Sequence, residues 1–165
     1  MKSSKFKVGK IPDTYIVDAQ ITELEILSMA LKLAKKRLNK GLSLEEPKQV
    51  FSHLQIILQD YEHEIFALLM LDNKNRIIEF HELFRGTLDG AKVYPREVVK
   101  TALKYNAAAV IFVHNHPSGD PEPSQTDRAL TLSLKDALNL IGTRTLDHIV
   151  VGSEGCVSLA ERGYL

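Results

Sequence analysis

The sequence predicts an α/β protein, a three-layer α/β/α sandwich built on a mixed sheet and preceded by a helical amino-terminal segment. Three observations carry this prediction. Two short runs, Ile65 to Leu71 and Ala107 to Val113, are apolar almost without interruption, as strands covered on both faces are. Segments with apolar residues three and four apart lie before, between and after these runs, the mark of helices with one buried face. The two kinds of segment alternate through most of the chain, with no internal repeat and no low-complexity stretch, and helices flanking a sheet give a layered domain.

Taken in order, the first helix begins at Thr22, where Thr22-Glu23-Leu24-Glu25 has the spacing of a capping box. Leu24, Leu27, Leu31, Ala34 and Leu38 form its apolar stripe, and Gly41 stops it. A second helix follows Ser43 and Pro47, with Val50, Phe51, Leu54, Ile57, Leu58 and Tyr61 on one side. The strand Ile65 to Leu71 then turns through Asp72-Asn73-Lys74-Asn75 into a partner strand, Arg76 to Phe80. The helix from Pro95 to Tyr105 starts with proline at a favoured first-turn position and buries Val98, Val99, Ala102 and Leu103. The strand Ala107 to Val113 runs into a loop over residues 114 to 123, and a helix from Ser124 turns Leu130, Leu134, Ala137 and Leu138 inward. Leu146 to Gly152 and the segment CVSLA supply closing strands.

A chain of 165 residues suits one domain. Its 44% hydrophobic and 25% charged residues are ordinary for a globular protein, and no apolar run approaches the roughly 20 residues of a membrane helix. The basic start, MKSSKFKVGK, leads into no long apolar core, so no secretory signal is expected and a cytoplasmic location is. The single Cys156 forms no internal disulfide and supplies no four-thiolate zinc site, so any metal must use histidines and carboxylates. With 21 basic and 21 acidic residues, the global field gives no attraction for polyanions. Only Lys32, Lys35, Lys36, Arg37 and Lys40 cluster locally, so any nucleic-acid binding is expected to be weak, non-specific and salt-sensitive. By the usual behaviour of charge runs, the same cluster reads first as a solvated helix face.

The segment from Val113 to Asp127 concentrates the chemistry. Ligands of α/β sheets gather beyond the carboxyl ends of strands, and His114 lies where the most hydrophobic strand runs out. Residues two apart in an extended chain project to one side, so His114 and His116 converge while Asn115 points away. Pro117, Gly119, Pro121 and Pro123 turn the loop, and Ser124 with Asp127 fits a helix start that presents Asp127 back to it. Two imidazoles and a carboxylate are ligands for zinc, and three protein ligands leave a fourth position open, as catalytic sites do. Taken separately, the Ser124 and Asp127 pair reads as a plain helix cap, and His-x-His in a loop is a weak signal.

Glu64, then His114-x-His116, seven residues, Ser124, two residues and Asp127 resembles the JAMM motif of MPN-type metallopeptidases. The stretch from NKNRIIEFHELF to HNHPSGDPEPSQTDRAL is similar in particular to the RadC-like branch of that family, and the likeness covers about three fifths of the chain, from Glu64 to the end. The resemblance implies a cytidine-deaminase-like fold and one zinc ion on His114, His116 and Asp127. It implies Glu64 as general base, Ser124 as donor to the developing oxyanion, and hydrolysis of an amide or isopeptide bond in a peptide or protein substrate. On this basis residues 1–45 form a helical extension and residues 46–165 the MPN/JAB metallohydrolase domain. RadC-like proteins usually carry a helix-hairpin-helix DNA-binding module with glycine-containing hairpins. Gly9 and Gly41 are the only glycines before Gly86, so none is expected here, and the chain is similar to short members of the branch.

Two readings of Glu64 stand beside each other, as base or as a carboxylate solvating a strand start, with Glu62 as the nearest alternative base. A non-catalytic RadC-like binding module linked to DNA metabolism or repair is the alternative function. Nucleobase deamination is excluded, because its H-x-E and P-C-x-x-C ligands require two cysteines and the chain has one. The tripeptide His114-Asn115-His116 spells the name of the HNH nucleases, but those spread their residues over a ββα element.

Overall fold

Side-chain alternation along the central strands decides the architecture. A computed structural model describes residues 5–37, 47–86 and 93–165. The elements run β1 (Phe6–Val8), β2 (Tyr15–Val17), α1 (Glu23–Arg37), α2 (Pro47–Leu58), β3 (Glu64–Leu71), β4 (Ile77–Gly86), α3 (Pro95–Lys104), β5 (Ala109–Asn115), α4 (Gln125–Asn139), β6 (Arg144–Gly152) and β7 (Gly155–Ser158). The main sheet has the order β4-β3-β5-β6-β7, with β5 and β6 parallel and the other pairs antiparallel. Parallel neighbours need a crossover, and α4 supplies it.

Odd-numbered positions of β3 and β5, such as Ala67, Leu69, Ile111 and Val113, pack with Ile149 and Val151 against Val50, Leu54, Ile57 and Leu58 of α2 and Ala34 of α1. Even-numbered positions, Phe66, Leu68, Met70, Val110 and Phe112, pack against Val98 and Ala102 of α3 and Leu134 and Leu138 of α4. The mixed sheet is therefore the middle layer of an α/β/α sandwich, as the near-continuous apolar strands imply. No helix among the described residues is long and apolar enough to cross a membrane.

Local signals explain most boundaries. At the start of α1 the Thr22 N–H donates to Glu25 Oε2 at 2.9 Å and the Glu25 N–H to Thr22 Oγ1 at 3.3 Å, the reciprocal bonds of a capping box. The turn after β3 forms because the Asp72 carboxylate accepts the Lys74 and Arg76 N–H groups, while Asn75 takes the left-handed conformation that asparagine tolerates. β4 continues to Gly86, past the expected end at Phe80, and its pairing with β3 is interrupted by two register irregularities. The expected partner on the second helix, Tyr61, lies beyond the end of α2, packs against the core and donates its hydroxyl to Glu82 at 3.1 Å.

The expected stripe on α1 is buried only in its second half. Ala34 is buried and Leu31 partly so, but Leu24 and Leu27 are 72% and 59% exposed, because among the described residues no layer lies behind the first turns. Leu103 is likewise 59% exposed, not buried: Val98, Thr101 and Ala102 form the inward row of α3, and Leu103 lies a further 100° round the helix. A small hairpin, β1 with β2, adds to the helical amino-terminal segment. Its strands have three residues each and Val8 is 79% exposed, so no alternation marks them in the sequence. Lys32, Lys35 and Lys36 are exposed on α1; Leu38, Lys40, Gly41, Ser43 and the expected boundary at 45/46 lie outside the described residues.

These differences set a direct comparison of two leucines. Leu54→Ala, at a fully buried position, is expected to cost about 2–5 kcal/mol of stability. Leu24→Ala is expected to stay within about 0.5 kcal/mol of the parent protein. Denaturant midpoints measure both, and equal losses would mean that the first turn of α1 is covered.

Candidate metal centre

β5 runs two residues beyond its expected end at Val113. His114 still pairs with Phe66 of β3 and Val150 of β6, and Asn115 with Val151, so the ladder carries the first histidine into the sheet. His114 shares the α4-facing side with Phe112 and is 2% exposed. The next ladder-like bond, from the His116 N–H to the Val151 carbonyl at 2.8 Å, keeps the chain extended for one more turn of the pleat. His116 therefore projects to the same side as His114. The chain then turns sharply, with the Gly119 N–H donating to the His116 carbonyl at 3.0 Å.

Asp127 arrives from the first turn of α4. Ser124 caps that helix: its Oγ accepts the Asp127 N–H at 3.1 Å, its N–H donates to Asp127 Oδ2 at 2.7 Å, and its hydroxyl donates to the same oxygen at 2.6 Å. The cap that starts the helix thus also aims the carboxylate. The Nε2 atoms of His114 and His116 are 3.0 Å apart, with Asp127 Oδ1 3.5 Å from the first and Oδ2 3.7 Å from the second. Donors about 2.0–2.2 Å from a tetrahedral zinc lie roughly 3.3–3.5 Å from one another, which these separations bracket. Among the described residues, His114, His116 and Asp127 are the group of side chains that could hold a metal ion, with their donor atoms within 4.8 Å of one another.

The charges at the cluster are set by burial and by mutual bonds. Burial pushes the His114 imidazole down to about 4, so the ring is neutral at physiological pH. His116, half-buried, is raised by the Asp127 carboxylate beside it, which favours the protonated ring. Burial acts to raise the Asp127 carboxyl, but the imidazoles beside it and the two bonds from Ser124 overcome this and hold the group below the usual carboxylate range. A cation and a proton compete here for the same Nε2 lone pairs. His116 Nδ1 is 2.8 Å from the Asp120 carbonyl, which can only accept, so the neutral ring carries its hydrogen on Nδ1 and leaves Nε2 bare. Donor type, spacing and tautomer all fit a zinc-like ion.

Glu64 is the first residue of β3, not the residue before it. The pairing of Phe66 with His114, continued by two residues, sets Glu64 beside His116 on the same side of the sheet. Glu64 and His114 line one small cleft with Phe84, Arg85 and Val93, and the charge of Glu64 acts on the His116 ring. Glu62 is exposed and precedes the strand. Asn115 points to the opposite face, where its Oδ1 accepts the Ile65 N–H at 2.8 Å and its Nδ2 donates to the His63 carbonyl at 3.2 Å. It thereby grips the backbone on both sides of Glu64.

The sequence reading missed three partners of the cluster, and grouped none of His53, His63, His81 and His148 with it. His148 is fully buried on β6, with Nε2 2.7 Å from His114 Nδ1 and Nδ1 2.6 Å from Thr131 Oγ1. A signal existed: His148 interrupts the apolar run of LDHIVVG at a position facing α4, where only a hydrogen-bonded polar residue is tolerated. Thr131, one turn after Asp127, carried a similar signal as a buried polar residue on the inner row of α4. The third, the Asp120 carbonyl, leaves no trace in residue type.

Fold and cluster together define an α/β/α domain that gathers a His-x-His pair and an aspartate at the carboxyl end of its central strand. Residues 44–164 match the RadC-like JAB domain, and the chain belongs to that family. It is 54% identical over 151 residues to a "UPF0758 protein" of Vibrio cholerae serotype O1, covering 92% of this chain and 95% of the relative. A second "UPF0758 protein" of that organism is 56% identical over 143 residues, 87% of this chain and 90% of its own length. A "UPF0758 protein" of Marinobacter nauticus is 53% identical over 139 residues, which make up 84% of this chain but only 62% of that longer relative.

The loop that carries His116 packs tightly on the turn between β6 and β7. A Cβ at Gly152 would lie 2.0 Å from the Gly119 carbonyl oxygen, which also accepts the Glu154 N–H. Gly152→Ala is therefore expected to cost about 1–3 kcal/mol and to move the His116 ring resonances in NMR spectra. Unchanged melting and unchanged resonances would show that the loop yields freely.

Proposed function

We propose that this chain is a zinc-dependent hydrolase that cleaves an amide bond of a peptide or protein, with one zinc per chain held by His114, His116 and Asp127. The observation that carries the proposal is the convergence of two imidazole Nε2 atoms and an oriented carboxylate beside Glu64. A bound zinc ion supplies a water that is acidic near neutral pH and polarises the scissile carbonyl. Glu64, at the same rim, takes the proton of the attacking water and returns it to the leaving amine. Its charge beside His116 favours the ionised form of that ring before a metal is loaded and stabilises a cation afterwards.

Ser124 has a second role in this reading. Its single hydroxyl hydrogen is given to Asp127 Oδ2, so donation to a developing oxyanion requires the hydroxyl to turn. The Ser124 N–H keeps its own bond to Oδ2, and the carboxylate stays aimed while the hydroxyl is released. Loss of the cap costs about 1 kcal/mol, whereas loss of an oxyanion donor costs roughly 100-fold in turnover. Ser124→Ala is expected to show both, by melting and by peptide hydrolysis. Wild-type turnover with a lowered melting temperature would leave the capping role alone.

Zinc content and cleavage of a peptide library by the purified protein test the whole reading. His116→Ala is expected to lose tight zinc binding while the core stays folded. Glu64→Gln is expected to keep near-stoichiometric zinc and lose about 100- to 10,000-fold in hydrolysis, with Glu62→Gln nearly silent. A wild-type protein with no zinc above background would overturn the proposal, and full activity in Glu64→Gln would move the base elsewhere.

A further inference from the structure

We propose that His148 is a positioning residue that fixes the tautomer of His114, through a chain of hydrogen bonds running from the backbone of Asp127 by way of Thr131. The direction of every link is forced. The Asp127 carbonyl can only accept, so Thr131 Oγ1, 2.5 Å away, gives it the one hydrogen a hydroxyl has. The Thr131 oxygen then has only lone pairs to offer His148 Nδ1 at 2.6 Å, so Nδ1 carries the hydrogen. A neutral imidazole has one N–H, which leaves His148 Nε2 bare and able only to accept from His114 Nδ1 at 2.7 Å. His114 has then spent its own hydrogen, and its Nε2 faces His116 and Asp127 as a lone pair.

Both rings are shut off from solvent, so no water competes for any link of the chain. Phe66 and Phe112 pack on the His148 ring and keep it from rotating towards other partners. The chain of bonds also ends beside the residue where it starts. It leaves from the carbonyl of Asp127 and, through Thr131, His148 and His114, sets a bare Nε2 3.5 Å from the side chain of the same residue, with no hydrogen bond across that gap. One residue on the first turn of α4 thus supplies a carboxylate to the cluster and, through its main chain, selects the nitrogen that stands opposite. Partners beyond the ligands commonly orient a metal-binding imidazole in this way.

The functional consequence rests on the zinc reading above; the direction of the bonds does not. Long-range proton–nitrogen correlation spectra of the full chain with ¹⁵N-labelled histidine, before and after zinc loading, are expected to show His148 with hydrogen on Nδ1 and a bare Nε2. Zinc affinity, read by competition with a chromophoric chelator, is expected to fall about 10- to 100-fold in His148→Phe. His148→Gln, whose amide oxygen and nitrogen offer an acceptor and a donor, is expected to recover most of that loss. Thr131→Val, nearly the same shape without the hydroxyl, is expected to weaken zinc less than His148→Phe and to leave His148 in a mixture of tautomers, which keeps the test open if the phenylalanine variant fails to fold. Hydrogen on His148 Nε2, or wild-type affinity in a folded His148→Phe, would overturn the proposal. A parent protein that takes up no zinc would overturn the zinc reading instead, and the ring spectra would still decide the direction of the bonds.

Discussion

The pleat of β5 is the constraint on which the rest of the structure depends. Both faces of the sheet are covered by helices, so each residue of this strand belongs to one apolar layer or the other. A slip of one residue would send Phe112 and Val113 into the wrong layers and exchange the faces of His114 and Asn115. Packing of a dozen apolar side chains therefore holds the position of two polar ones. The histidine needs no local device to reach the α4 side, because its address follows from the strand that delivers it.

Where the apolar part of the sheet ends, polar groups take over and each is matched. A buried imidazole or carboxylate without a partner costs more than most packing defects, so such groups persist only in satisfied sets. His114, His148, Thr131 and Asp127 form one such set, and Ser124 joins it through the helix cap. The cap is where two requirements coincide. The first turn of α4 needs an acceptor for its free N–H groups, and the cluster needs a carboxylate in a fixed pose. One Ser-Asp pair meets both, which is why an ordinary helix start and a metal-type site read identically in the sequence.

The layers, the central strands and the compact His-to-Asp segment were legible because they obey short-range rules of period, capping and strand-end location. Misreadings occurred where tertiary context overrides those rules. Leu24 and Leu27 have the spacing of a buried stripe, but spacing does not say whether a layer lies behind it. Leu103 is apolar and so reads as inward by residue type, although Thr101 occupies the inner row instead. The three-residue strands β1 and β2 are too short for a period to appear. His148 is 34 residues from its partner His114, and only the parallel pairing of β5 with β6 brings them together. That pairing is a property of the sheet order and not of any local run of residues.

Asn115 gives the site a mechanical character. One carboxamide clamps the main chain at Ile65 and at His63, the two neighbours of Glu64, and its own backbone lies between His114 and His116. Two stretches of chain fifty residues apart thus share a rivet one side chain long. Relative motion of the acidic rim against the histidine pair is damped before anything binds, so the freedom that association ordinarily removes has already been removed by folding. Under the proposed hydrolysis, a reactant entering that cleft would meet a preorganised frame, whose tolerance is set on the face of the sheet that the reactant never touches.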